Sequence, residues 1–183
     1  MTDKNNDTFF RRFARDLESL NADILATEKN LHAARNGSNQ KQMLEYTADL
    51  ARLLTIARRE WEAKALLEPA LIHARALDDA HLIGWLLLEQ ATTNQYLRHD
   101  DTVLADFSEA IRIAQSVADL GLHHYALHHR GRYLVECGAY DLALQDFEQA
   151  LAIRNTVEDE SGVASTTQAI QDVLLLKQGL NNP

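Results

Sequence analysis

Residues that interrupt helices are scarce in this sequence. Two prolines and seven glycines occur among 183 residues, and both residue types mark turns and breaks. Their scarcity favours long helices joined by tight turns over a β-rich fold. Leu and Ala are the commonest residues, and Leu, Ala, Glu, Gln and Arg all favour helix. The sequence therefore predicts an all-α protein.

Cysteine and long apolar runs are also lacking. One cysteine, Cys137, excludes an internal disulfide framework and fits a reducing cytosol. It precedes Gly138 near a predicted helix C-terminus, where the helix dipole disfavours a thiolate, so we expect a small buried residue. No apolar run approaches the roughly 18 residues of a membrane span, and residues 1–8 are polar, unlike a signal peptide. We expect a cytoplasmic protein that does not enter a membrane.

Positive charge is outnumbered in this chain. Lys and Arg total 18 against 27 Asp and Glu, a formal net charge of −9. Nucleic-acid surfaces rely on Lys and Arg, so we expect no nucleic-acid partner. Residues 138–183 carry two basic residues against seven acidic ones. That region either favours a basic partner or presents an ordinary solvated surface.

Three segments of the chain align without gaps at one constant spacing. Small residues recur in the first half of each copy, at Ala51, Ala91 and Gly131. Large apolar residues recur in the second half, at Leu67, Phe107 and Phe147, each followed three residues later by alanine. The apolar spacing of three and four predicts paired helices near 43–57 and 60–77, 82–98 and 101–117, and 122–137 and 140–156.

Turn and cap signals set the boundaries of these helices. Gly138 adopts positive φ without steric cost and is predicted to end a helix. Asp100 or Asp101 and Ser161 are predicted N-caps. Outside the copies, residues 8–35 read as one long helix whose apolar side includes Phe9 and Phe13, and residues 162–178 read as a last helix.

Residues 124–157 resemble a tetratricopeptide repeat. The resemblance rests on residues at that family's spacing, namely Gly131, Gly138, Tyr140, Ala143, Phe147, Ala150 and Leu151. The copies cover roughly residues 44–163. They depart from the common form in a period of about 40 residues instead of about 34 and in the missing closing proline. Longer-period members occur in cytoplasmic sensors and scaffolds, and the resemblance implies a similar binding role.

A hairpin of this kind cannot bury its apolar face alone, so stacking with neighbours supplies the core. We therefore predict a right-handed superhelical stack of antiparallel helical hairpins with about eight helices. It comprises an N-terminal capping helix (1–42), three repeats (43–81, 82–121 and 122–161), and a C-terminal capping helix with a tail (162–183).

In that family the first helices of the repeats line a concave groove that receives peptides. The predicted groove residues are Arg52, Trp85, Leu88, Thr92, Tyr96, Tyr125, His128 and Arg132. Trp85 and Tyr125 recur one repeat apart and are either aromatic anchors for a bound segment or packing residues. One subclass holds a terminal carboxylate with a Lys/Asn/Arg clamp. Only Arg52 fits that clamp, so we expect no binding of that type.

Four of the eight histidines lie within residues 123–129. His124 and His128 are one helical turn apart, a spacing that can chelate Zn²⁺ or Ni²⁺, but no carboxylate or cysteine in that turn completes a site. Arg130 and Arg132 are candidates for contact with an anionic ligand, although pairing of Arg132 with Glu136 is simpler. Nucleophile elbows, phosphate-binding loops and dinucleotide fingerprints are missing.

Three functional hypotheses follow from these patterns. The first is a non-catalytic scaffold for a protein or peptide partner, with no cofactor and no metal. The second is a structural unit that forms a homodimer through the Phe-rich N-terminal helix. The third is a metal- or pH-responsive regulator that acts through residues 123–129.

Overall fold

A computed structural model of the chain describes residues 16–99 and 101–181. Within these ranges the chain forms eight α-helices and no strand, which confirms the predicted all-α class. They are α1 (Leu17–Asn36), α2 (Gln40–Ile56), α3 (Glu60–Ala76), α4 (Ala80–Leu97), α5 (Val103–Ser116), α6 (Leu120–Glu136), α7 (Tyr140–Thr156) and α8 (Glu160–Asn181). Phe9, Phe13 and Asp100 lie outside the described residues.

The helices belong to two compact units that divide between Ile113 and Ala114. In the first unit, α2 packs against α1, α3 and α4, and α3 also packs against α4. In the second unit, α6, α7 and α8 pack against one another. The division lies inside α5, so it does not coincide with a boundary between predicted repeats.

The turns between successive helices share one backbone conformation at a constant spacing along the chain. A residue with φ between 53° and 74° occupies each turn: Ser38, Arg58, Asp78, Arg98, Ala118, Gly138 and Glu158. The next residue donates its backbone N–H to the carbonyl five residues earlier, as from Ala139 to Leu134 at 2.8 Å. These bonds satisfy helix-terminal carbonyls. Gly138 has the positive φ that the sequence predicted. The same left-handed conformation costs each of the six non-glycine residues roughly 1–2 kcal/mol.

Side-chain caps recur at every second helix from α2 onwards, and Asp16 also caps α1. The recurring caps precede α2, α4, α6 and α8, where Asn39, Asp79, Asp119 and Asp159 accept a backbone N–H from three residues later at 2.9–3.2 Å. By contrast, α3 and α7 have no side-chain cap. The prediction of Ser161 as a cap was wrong, because the turn puts Asp159 just before α8 and Ser161 inside it.

The recurring residues of the repeat form the core. Leu67, Phe107 and Phe147 are fully buried, as the alignment predicts. A Cβ atom built on Gly131 would lie 2.8 Å from Cε1 of Phe147, so the missing side chain lets α6 approach α7. The prediction of a buried Cys137 was wrong. It follows the last residue of α6, where the chain turns, and is exposed.

Some positions of α1 and α8 are more polar than the aligned positions of the other helices. Asp23, Thr27 and Asn30 of α1 occupy positions that carry buried apolar residues in α3, and Thr167 of α8 occupies the position of the buried Leu127 of α6. Terminal helices of repeat arrays typically have such polar faces. The capping roles of both helices stay a prediction.

Candidate peptide-binding surface

In the first unit, the first helices of two successive repeats are in direct contact. Helix α2 packs against α4, and the buried hydroxyls of Thr55 and Thr93 form a hydrogen bond of 2.9 Å between them. This contact fixes the spacing of the two helices near their C-terminal ends. The predicted site residues of the first unit all lie on α2 and α4.

Two of these residues keep solvent-accessible surface. The Arg52 side chain is 38% exposed, and its guanidinium lies 3.7 Å from the carboxylate of Asp49. Trp85 is half-buried, and its ring meets the imidazole of His81 edge-on at a centroid distance of 6.4 Å. An accessible indole and an accessible cation suit a ligand with an apolar anchor and negative charge.

The other three residues predicted on α4 are buried. Leu88 is 1% exposed, Thr92 5% and Tyr96 7%. The Thr92 hydroxyl donates a hydrogen bond to the Leu88 carbonyl at 2.8 Å, and the guanidinium of Arg58 lies over the Tyr96 ring at 5.6 Å. A partner can reach these side chains only if the packing opens, so their role as contact residues stays a prediction.

In the second unit, α6 carries Tyr125, His128 and Arg132. Tyr125 is half-buried, and its ring contacts the guanidinium of Arg154 at 5.5 Å. His128 is 6% exposed and Arg132 7% exposed. Nδ1 of His128 lies 3.2 Å from the hydroxyl of Thr166, which links α6 to α8. His128 therefore packs within the unit, and Tyr125 keeps the most accessible surface of the three.

Arg154 joins all three helices of the second unit and was missed by sequence analysis. It is 3% exposed, and its Nε donates to Nδ1 of His124 on α6 at 3.1 Å. Its Nη1 donates to the Gly162 carbonyl at 2.7 Å and to the Thr166 hydroxyl, both on α8. The sequence does contain a signal, because the aligned positions in the first two repeats both hold alanine.

Burial and charge set the titration of the groups around Arg154. Burial lowers the pKa of His124 below its usual value, and the Arg154 cation lowers it further. A hydrogen bond from the backbone N–H of Gly162 lowers the pKa of Asp159, whose carboxylate lies 3.7 Å from Nε of Arg154. The lowered pKa favours neutral His124, the form that can accept the hydrogen bond from Arg154.

Arg130, a candidate for contact with an anionic ligand, pairs with a residue of its own chain. Its Nε and Nη2 donate to the two carboxylate oxygens of Asp146 on α7, each at 2.7 Å. Asp146 is 3% exposed. A bidentate pair with a buried carboxylate fixes the guanidinium plane and holds α6 against α7.

The histidine-rich helix offers no metal site in the part of the chain that the structure describes. No group of three His, Cys, Asp or Glu side chains lies close enough there to hold a metal ion. His124 and His128 instead contact Arg154 and Thr166. None of the described helices combines the length and the apolarity that a membrane span needs.

Comparisons with known proteins identify the fold. The sequence matches no family profile and no curated protein. Among solved structures, it is similar to the crystal structure of BtubC (BKLC) from P. vanneervenii, with a TM-score of 0.71 and 16% sequence identity. The match covers 86% of this chain and 66% of that one, so the chain spans just under two thirds of the matched protein. BtubC has a helical-repeat fold, and this chain likewise has an all-α helical-repeat fold.

Proposed function

We propose that this chain is a non-catalytic scaffold that binds a protein or peptide segment through its first helices. The observation that carries the proposal is the accessible surface of Arg52 and Trp85 on two adjoining helices, where their apolar neighbours are buried. Repeat proteins use such successive helices as extended binding surfaces. The resemblance to tetratricopeptide repeats supports the same role.

The contact residues we assign are Arg52 and Trp85 in the first unit and, by itself, Tyr125 in the second unit. Tryptophan, tyrosine and arginine are the residue types that dominate interface hot spots. The remaining residues of the predicted groove support these three by packing, because 7% or less of each is exposed. The expected ligand is a peptide that places an apolar side chain on Trp85 and an acidic group near Arg52.

The two tryptophans of the chain make a matched test. Short peptides are first selected from a random display library on the wild-type protein, and their binding isotherms are then measured on Trp85→Ala and Trp61→Ala. Trp61 lies on α3 and is 62% exposed. We expect Trp85→Ala to weaken binding about thirtyfold, which corresponds to a hot spot of about 2 kcal/mol. Trp61→Ala should leave peptide affinity unchanged.

Circular dichroism of both variants provides the control for folding. If the isotherms of the selected peptides do not distinguish Trp85→Ala from wild type, the assigned surface is wrong. If Trp61→Ala abolishes binding instead, peptides bind the outer face of α3 and not the first helices.

A further inference from the structure

An apolar stripe runs along the outward face of α3. Five residues at spacings of three and four form one stripe on the helix: Trp61, Ala65, Pro69, Ile72 and Ala76. All five are exposed, with Trp61 at 62% and Ile72 at 72%. We call these residues the α3 stripe. The opposite face of α3 is buried in the core, so this helix is apolar on two sides.

The repeat itself shows that the fold does not require this stripe. The aligned positions of α5 and of the turn before it hold Asp101, Ala105, Glu109, Arg112 and Ser116, and those of α7 hold Asp141, Gln145, Gln149, Ala152 and Thr156. Second helices elsewhere in the chain thus have mainly polar outward faces, as solvent contact favours. An exposed apolar stripe that the aligned positions of the other second helices lack is typical of an interaction site.

Local contacts shape the surface around the stripe. The Trp61 ring packs edge-on against His99, with centroids 5.2 Å apart, which orients the indole although most of it is exposed. Next to Ala65, a concavity of about 460 Å³ lies between α1 and α3 over the buried leucines of α2, Leu50 and Leu54. The stripe therefore combines a protruding indole with an adjoining hollow that has leucines of α2 at its base and polar residues, including Arg35 and Glu62, in its lining.

The charges that flank the stripe are paired within the chain. Arg59 lies 2.7 Å from Glu62, Lys64 lies 3.0 Å from Glu68, and Arg75 lies 3.8 Å from Glu109. This surface is thus close to neutral in a protein whose formal net charge is −9. Self-repulsion between identical acidic molecules is weakest where their facing surfaces carry no net charge.

We infer that the α3 stripe binds the α3 stripe of a second copy of this chain, with the two helices antiparallel. A two-fold axis near Glu68 and Pro69 would place Trp61 opposite Ala76 of the partner subunit and Ile72 opposite Ala65 of the partner subunit. Each large side chain then meets a small one, and the contact closes upon itself as a two-fold interface must. The inference is independent of the peptide surface, which lies on other helices.

Sedimentation velocity over a wide range of protein concentration tests the inference. One helix face is a small interface, so we expect a monomer–dimer equilibrium that depends on concentration. Trp61→Ser combined with Ile72→Ser should weaken dimerisation at least about tenfold, since an apolar anchor is removed from each side. Leu142→Ser on α7, where the leucine is 54% exposed, is the matched control and should leave the equilibrium unchanged.

Disulfide cross-linking tests the position of the two-fold axis. The exposed Cys137 is first replaced by serine. In that background, Glu68→Cys places identical thiols beside the proposed axis, and we expect a disulfide-linked dimer on mild oxidation. Glu148→Cys changes the exposed glutamate at the aligned position of α7, and should not cross-link above the background of random collisions.

Three results would overturn the inference. The protein could remain monomeric up to near-millimolar concentration. This result would overturn the inference even if the stripe binds a helix of another protein. Dimerisation could be insensitive to the two serine substitutions, which would place the contact elsewhere. Glu148→Cys could cross-link as efficiently as Glu68→Cys. Peptide binding measured on the Trp85 variants is unaffected by any of these results.

Discussion

Replacement of Gly131 by leucine tests the closest contact between paired helices. A Cβ atom at this position would lie 2.8, 3.0 and 3.1 Å from three ring atoms of Phe147, and Phe147 has no exposed surface into which it can move. The aligned pair in the second repeat is Ala91 and Phe107, both fully buried. The repeat thus accommodates a methyl group at this position, whereas leucine adds three further carbons.

The expected cost follows from two opposing effects. Overpacking of a filled core costs about 1–3 kcal/mol, and we take the upper end because the contact is already below van der Waals distance. Leucine recovers about 1 kcal/mol of helix propensity relative to glycine. The net destabilisation is about 2 kcal/mol, which lowers the melting temperature by roughly 4–8 °C for a protein of this size.

Thermal and urea unfolding, followed by circular dichroism, measure this change. Gly131→Ala should cost less than Gly131→Leu. Phe147→Ala alone should cost about 3–5 kcal/mol, but in the Gly131→Leu protein it should cost less, because leucine fills part of the vacated space. If Gly131→Leu melts like wild type, or if the two substitutions are additive, α6 and α7 do not pack in the way described.

Three other expectations concern turns, titration and the second unit. Ala118→Gly should raise the free energy of unfolding in urea by about 1 kcal/mol, and Gly138→Ala should lower it by a similar amount, because both residues have positive φ. A methyl group at Gly138 would contact nothing, so the backbone conformation alone sets the effect there. Burial and Arg154 lower the pKa of folded His124, so the unfolded chain binds more protons and stability should fall as pH falls below about 6.5. His124→Gln should reduce that slope, and a slope that is unchanged would contradict the assignment. Arg154→Met should lower the free energy of unfolding by about 1–3 kcal/mol, because it leaves buried acceptors unpaired. It should also speed hydrogen exchange of the backbone amides in α8. Exchange equal to that of wild type would show that Arg154 does not hold this helix.

The sequence predicted the helices well because their apolar spacing is regular. It predicted one of the seven left-handed turn residues, Gly138, because glycine alone signals that conformation. Positions such as Ala118 and Glu158 carry no such signal, and their conformation follows from the hydrogen bonds that close the turn. The acidic caps before α4 and α6 were not predicted, and Ser161 was predicted instead of Asp159 before α8, although these aspartates recur once per repeat in the sequence.

The helices that carry the candidate residues were predictable, but the exposure of those residues was not. Resemblance to a known repeat assigned Leu88, Thr92 and His128 to first helices, and the structure has them on α4 and α6. Their burial depends on how closely neighbouring helices pack and on which side chains fill the space between them. The spacing of residues along one helix does not predict either of these. The α3 stripe was not predicted, because the resemblance assigns binding to first helices and α3 is a second helix.

The turn that follows each of the first seven helices and the recurring caps before α2, α4, α6 and α8 together restrict how the length of this chain can change. Excision of residues 79–118 would join Asp78 to Asp119, a left-handed residue followed by an acidic cap, and so recreate the junction present at Asp78–Asp79. Excision of residues 79–98 would join Asp78 to His99 and bring two second helices into succession, with an uncapped start. Insertions and deletions in relatives of this gene should therefore accumulate in steps of one whole helix pair, and single-helix gains or losses should be selected against.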